Sequence, residues 1–235
     1  MDVLIDNADV FVSGFWLTLQ LCVLSATGAL LIGTIVAAMR ISPVPSLRWA
    51  GATYVTLVRN LPLTIVFFLT SFGLPELGSN ADFLRIPGLS SIFDRLGIDL
   101  PYFRFAVIAL SVYTAAFVCE AIRSGVNAVP AGQAEAARSL GLTFRQNLLS
   151  IVLPQAWRAA IVPLGSVIIA MIKNSALAGA FGVTGELFSS GQSLTSSGGN
   201  PIVPVFIGIS IGYLIMTVPL GIFIDRVENR RAVAR

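Results

Sequence analysis

Histidine is absent from the 235 residues, lysine occurs once, at Lys173, and cysteine twice. Without imidazole the chain lacks the side chain most used for metal binding and for proton transfer near neutral pH. Cys22 and Cys119 both fall inside apolar segments, at opposite depths, which argues against a disulfide and against a metal site. Charge is scarce as well. Asp, Glu, Lys and Arg together make up 11% of the chain, less than half of the ~25% found in soluble globular domains. No G-x-x-x-x-G-K-[ST] loop is present, because Lys173 is followed by Asn174, so the chain has no phosphate cradle of that kind. A basic leader is missing too: Asp2, Asp6 and Asp9 stand where a cleavable signal peptide needs cations. No acid–base or nucleophile constellation suggests an enzyme.

What the chain does have is apolar length. Hydrophobic residues make up 55% of it, and they gather in uncharged runs that predict membrane spans at about 15–39, 60–75, 102–122, 160–181 and 202–224. The expected fold class is therefore all-α, a single polytopic transmembrane domain over residues 1–235. Segment 46–58 reads as an interfacial stretch leading into the second span. Residues 77–101 read as a polar outer loop with a short amphipathic helix expected near 91–96, and 188–200 as a Ser/Gly-rich loop. Residues 125–157 are the one long basic interruption. There the pattern predicts a helix over 131–140 stopped by Gly141 and a second from Thr143 to Leu153, opened by the capping box Thr143-x-x-Gln146, with Pro154 either ending it or beginning the next element.

The formal charge of +3 is carried almost entirely by arginine. Arg40, Arg48, Arg123, Arg138, Arg145, Arg158, Arg226, Arg230, Arg231 and Arg235 fall on one side of the five spans. Arg85, Arg95 and Arg104 fall on the other, offset by Glu76, Asp82, Asp94 and Asp99. The positive-inside rule then puts the N-terminus outside and the 125–157 loop and C-terminus in the cytoplasm. This arrangement explains the basic residues as membrane flanks, not as a nucleic-acid surface. Ala29-x3-Gly33-x3-Ala37 and Gly208-x3-Gly212 are spacings that let helices approach closely, within the chain or between subunits.

The stretch Glu135-Ala136-Ala137-x3-Gly141-x9-Ile151-x-Leu153-Pro154 resembles the coupling loop of importer permeases driven by a separate ATP-binding-cassette subunit. Further segments extend the resemblance to the polar amino-acid uptake family over most of the chain. They are Phe11-x2-Gly14-x3-Thr18-Leu19, Tyr54-x4-Arg59-Asn60-Leu61-Pro62-Leu63, Glu120-Ala121-x-Arg123-Ser124-Gly125, and Lys173-Asn174-Ser175-Ala176-Leu177. The family usually has Arg-Gly-Thr-Pro at the second of these and often Lys-Asp-Thr-Ser-Leu at the last. The Arg-Asn and Lys-Asn variants look most like glutamate-type permeases of high-GC Gram-positive bacteria.

The resemblance implies a type I importer permease of the plasma membrane that moves a polar amino acid by alternating access. Glutamate is the first cargo; glutamine or a cationic amino acid is the alternative, and an ATP-independent channel or carrier is the reading from a different class. It implies no cofactor on this chain, ATP and Mg on a partner ATPase dimer, an extracellular substrate-binding protein, and a second homologous permease chain, as a heterodimer before a homodimer. Glu135, Ala136, Ala137, Gly141, Leu153 and Pro154 are then the ATPase-coupling residues. Lys173, Asn174, Ser175 and Asn60 are candidates for the substrate path, and Arg59, Glu120 and Arg123 for bracing or gating. For Lys173 two readings stay open. An ammonium deep in a bilayer costs ~2.5–3.5 kcal/mol on insertion scales, so it faces either a substrate carboxylate or an internal partner such as Glu120.

Overall fold

The computed structural model describes residues 2–77 and 101–232, and every regular element among them is helical. After a short α1 (Asp2–Asp6), the first span is α2 (Ala8–Ile41). Its buried residues are Gly14, Thr18, Leu21, Cys22, Ser25, Ala29, Gly33, Val36 and Ala37. They recur at helical spacing and are nearly all small, so α2 presents a shallow stripe on which another helix can lie close. That helix is α6 (Pro101–Asn127), the third span. A Cβ at Gly33 would stand 2.6 Å from Cβ of Val118 and 2.8 Å from the Ala115 carbonyl oxygen. The small-residue spacings are thus used inside the chain: Ala29, Gly33 and Ala37 against α6, and Gly208 and Gly212 against Phe11 and Leu187.

The second span departs from the expected straight helix over 60–75. Helix α3 (Pro45–Asn60) ends at Leu61, whose backbone is extended at φ −85°, ψ 138°. A second rod then follows as α4 (Leu63–Phe68), a π-helical turn (Leu69–Gly73) and α5 (Leu74–Leu77). The two rods meet at 104°. Pro62 explains the break: it offers no N–H, and its ring drives the preceding residue out of the helical region. Phe67 of the second rod stacks on Phe181 with ring centroids 5.2 Å apart.

The fourth span also differs. Helices α7 (Ala131–Ser139) and α8 (Phe144–Asn147) form where two short helices are expected. Of the two readings of Pro154 the second holds, since it stands in the first turn of the next helix, and α8 runs on to reach it. It passes through a π-helical turn (Leu148–Val152) into α9 (Leu153–Asn174). The wider turn shifts the hydrogen-bond register just before Pro154, so the helix continues through a residue with no N–H to give. After a break at Ser175, α10 (Leu177–Ala180) completes the span. The segment expected as a loop at 188–200 holds α11 (Leu187–Ser196). Its cap is Glu186, fully buried, which accepts the N–H groups of Phe188 and Ser189 at 2.8 and 2.6 Å. The fifth span is α12 (Ile202–Ala232), longer than the expected 202–224. The amphipathic helix expected near 91–96 lies outside the described residues.

The core sits where α2, α6 and α9 meet, around Leu21, Phe103, Ala109, Leu110 and Met171. Among the described residues four helices are long and apolar enough to cross a membrane, and five if the bent α3–α5 pair counts as one span.

Candidate functional site

The polar corner between α6 and α9 is built from three local devices. Helix α7 ends in a Schellman motif: Gly141 N–H donates to the Arg138 carbonyl at 2.9 Å, and Leu142 N–H to the Ala137 carbonyl at 3.2 Å. This needs Gly141 at φ +82°, a conformation glycine adopts without strain. The capping box then opens α8, with Thr143 N–H donating to Gln146 Oε1 at 2.9 Å and Gln146 N–H to Thr143 Oγ1 at 3.4 Å. Finally, Asn147 Nδ2 reaches back to the Ala134 carbonyl at 2.8 Å, and Gln155 bonds Gln133. The two arms are locked at a fixed angle.

This corner presents a shallow apolar depression of about 270 Å³, lined by Gln133, Ala136, Ala137, Leu140, Leu142 and Ile151. Ala137 is buried at the seam, while Glu135 and Ala136 are exposed. Leu140 stands 81% exposed at the rim, an apolar side chain with nothing among the described residues to cover it. Leu153 and Pro154 lie beyond the depression, at the start of α9. Replacing Gly141 by valine forces a β-branched side chain into the left-handed region. We expect a loss of about 1–2 kcal/mol, read as a lower unfolding temperature. Gly132→Ala, with nothing within 4 Å of the new Cβ, is expected to be neutral or slightly stabilising. Equal behaviour of the two variants would rule out the strained-turn account.

Beside the corner, four charged side chains converge. Glu120 on α6 bonds Arg40 from the end of α2, and its carboxylate lies 3.3 Å from Arg123 and 3.8 Å from Arg59 at the end of α3. The guanidinium of Arg59 also sits 5.6 Å from the centre of the Phe117 ring. One carboxylate therefore ties the ends of three helices. Arg40, Thr56, Arg59, Asn60, Phe117 and Glu120 line a polar pocket of about 420 Å³. A second, smaller pocket of about 150 Å³ is lined by Tyr113, Thr114, Phe117, Ala170 and Asn174 among others. Phe117 belongs to both. Tyr113, Phe117 and Glu120 lie on one face of α6, so the two pockets are neighbours along it, an interrupted groove with Phe117 at the join.

Comparison with known proteins decides what such an arrangement is. Residues 29–233 match the family model described as the binding-protein-dependent transport system inner membrane component. The chain belongs to that family. It is 44% identical over 222 residues (94% of this chain and 93% of the relative) to the glutamate transport system permease protein GluC of Corynebacterium efficiens. It is 37% identical over 230 residues (98% and 97%) to a probable glutamine ABC transporter permease protein, GlnM of Bacillus subtilis. A crystal structure of an amino acid ABC transporter with histidines superposes with a TM-score of 0.80 at 28% identity, covering 97% of both chains. The fold is that of a type I importer permease, and the chain is a multi-pass inner-membrane component.

Within this inner-membrane component, the residues singled out for the substrate path divide. Asn60 and Asn174 line the groove. Ser175 is buried and donates its hydroxyl to the Ile172 carbonyl at 2.7 Å, which closes the end of α9. Lys173 is exposed and makes no ion pair among the described residues, so Glu120 is not its partner. Arg40, Phe117, Asn147 and Leu140 escaped the sequence reading. Arg40 carried a signal: it is the first charge after an uncharged run, on the same side as Glu120 and Arg123.

Proposed function

We propose that this permease subunit serves an ATP-binding-cassette importer whose cargo is glutamate, and that ATP and Mg are handled by a separate ATPase dimer docked on the corner of α7 and α8. The observation that carries the reading is the corner itself. It is a rigid double-capped elbow with an uncovered Leu140 over an apolar depression, placed at the end of two spans. A partner closing on it would move α6 and α9 together. The glutamate assignment draws on the permease of Corynebacterium efficiens and on the surplus of arginine in the groove. An extracellular binding protein would deliver cargo, a second permease chain of the same family would complete the path, and the N-terminus would lie outside.

The test is uptake of radiolabelled amino acids into proteoliposomes. They would hold this chain with its companion permease, ATPase and binding protein, with and without internal ATP. ATP-dependent glutamate uptake is expected, falling at least tenfold in Glu135→Arg, which reverses the charge of an exposed residue beside the depression. ATP-dependent uptake of another amino acid would change the cargo alone. Uptake that ignores ATP and survives the substitution would sink the coupling reading.

A further inference from the structure

The cluster around Glu120 holds more positive charge than it needs. Three guanidinium groups surround one carboxylate, which leaves two positive charges uncompensated within it. The three cations are held unequally. Arg40 is in direct contact with Glu120 and only 17% exposed. Arg123 is 3.3 Å away on the same helix. Arg59 is 3.8 Å away, beyond normal hydrogen-bond length, and 45% exposed. Its fixed contact is the face of Phe117, and Phe117 is the residue shared by both pockets of the groove. Glu120 would keep Arg40 and Arg123 if Arg59 turned away, and an arginine's planar fork can take a second carboxylate with two parallel bonds. Asn60 at the rim adds an uncharged amide.

We propose that this pocket is a carboxylate station at the coupling-corner end of the groove, where Arg59 exchanges Glu120 for a carboxylate of the passing amino acid. Cargo binding there lowers the mutual repulsion of the three arginines, and Phe117 keeps the Arg59 guanidinium in place before and after the exchange. The step is an ion-pair exchange with no covalent bond made or broken. It rests on the amino-acid permease reading and adds to it the residue that holds the cargo and the charge it recognises.

The experiment measures binding of radiolabelled L-glutamate to the membrane complex of permease chains and ATPase in detergent, with no binding protein present. Uptake by the same complex is measured separately after reconstitution with the binding protein. Arg59→Gln is expected to weaken binding about tenfold or more, the scale of a lost charge-assisted hydrogen bond, and Arg59→Lys to restore part of it. Competition identifies the carboxylate. Glutamine competing while 4-aminobutyrate does not assigns the α-carboxylate; the reverse assigns the side chain. A complex that transports glutamate yet binds none in this assay removes the station and leaves the permease reading intact. A complex that neither binds nor transports it removes both. Wild-type affinity in Arg59→Gln also overturns the proposal. Should that variant fail to assemble, Asn60→Asp adds an anion at the rim without removing a cation. Its affinity is expected to fall several-fold, and unchanged affinity would be decisive against the station.

Discussion

Glu120→Gln is expected to destabilise the assembled protein by about 2 kcal/mol. Removing one member of a fully buried ion pair costs roughly 3–5 kcal/mol, because the partner is left charged and unpaired. Here the loss is smaller: Glu120 is 30% exposed, Arg123 32% and Arg59 45%, so water screens part of the repulsion. Arg40, at 17%, takes most of the penalty. The double variant Arg40→Gln with Glu120→Gln should therefore be less damaged than the two single effects added together. Thermal unfolding of the purified complex measures all four corners of the cycle. Strict additivity would mean that Glu120 is not what holds the end of α2 to α6.

Gly33→Leu should be worse still, with a loss of about 3 kcal/mol or more, at the upper end of what overpacking costs. The new Cβ alone would lie 2.5 and 2.6 Å from two carbons of Val118, and the rest of the leucine has nowhere to go. Val118→Ala as a second change should rescue only in part, because the Ala115 carbonyl, 2.8 Å away, belongs to the backbone of α6 and cannot yield without moving the helix. Gly73→Ala is the control. Its nearest neighbour is Leu69 Cδ2 at 3.9 Å, and it should be tolerated. Near-native stability and yield for Gly33→Leu would show that α2 and α6 do not cross as closely as described.

Four of the five spans, the basic corner and its two caps were legible from the residues. Uncharged length reports directly on the bilayer, and Gly141, Thr143 and Gln146 act on backbone groups only a few residues away. Three features escaped. The bend at Pro62 does not show in the residues, since a proline there is equally compatible with an ordinary helix start. The continuous join of α8 to α9 was hidden because a π-helical turn has no sequence signature of its own. The Arg40–Glu120–Arg59 cluster joins residues up to 80 positions apart, and no local pattern states which helix ends will meet. Lys173 shows the reverse case. Its charge drew attention, yet the groove is lined by its neighbour Asn174, because the step from one helical position to the next turns a side chain through roughly 100°.

The bend in the second span also bears on how the protein is made. The rod from Leu63 to Glu76 is only ~21 Å long at ~1.5 Å per residue, short of the ~30 Å hydrocarbon layer, and α3 meets it at too steep an angle to make up the difference. Several of its partners come far downstream: Phe67 shares a core cluster with Leu110 and Met171 and stacks on Phe181. While the ribosome is still producing the early part of the chain, none of those partners exists. We expect this rod to be held loosely by the insertion machinery until residue 181 has emerged, and to take its final place after spans that follow it in the sequence.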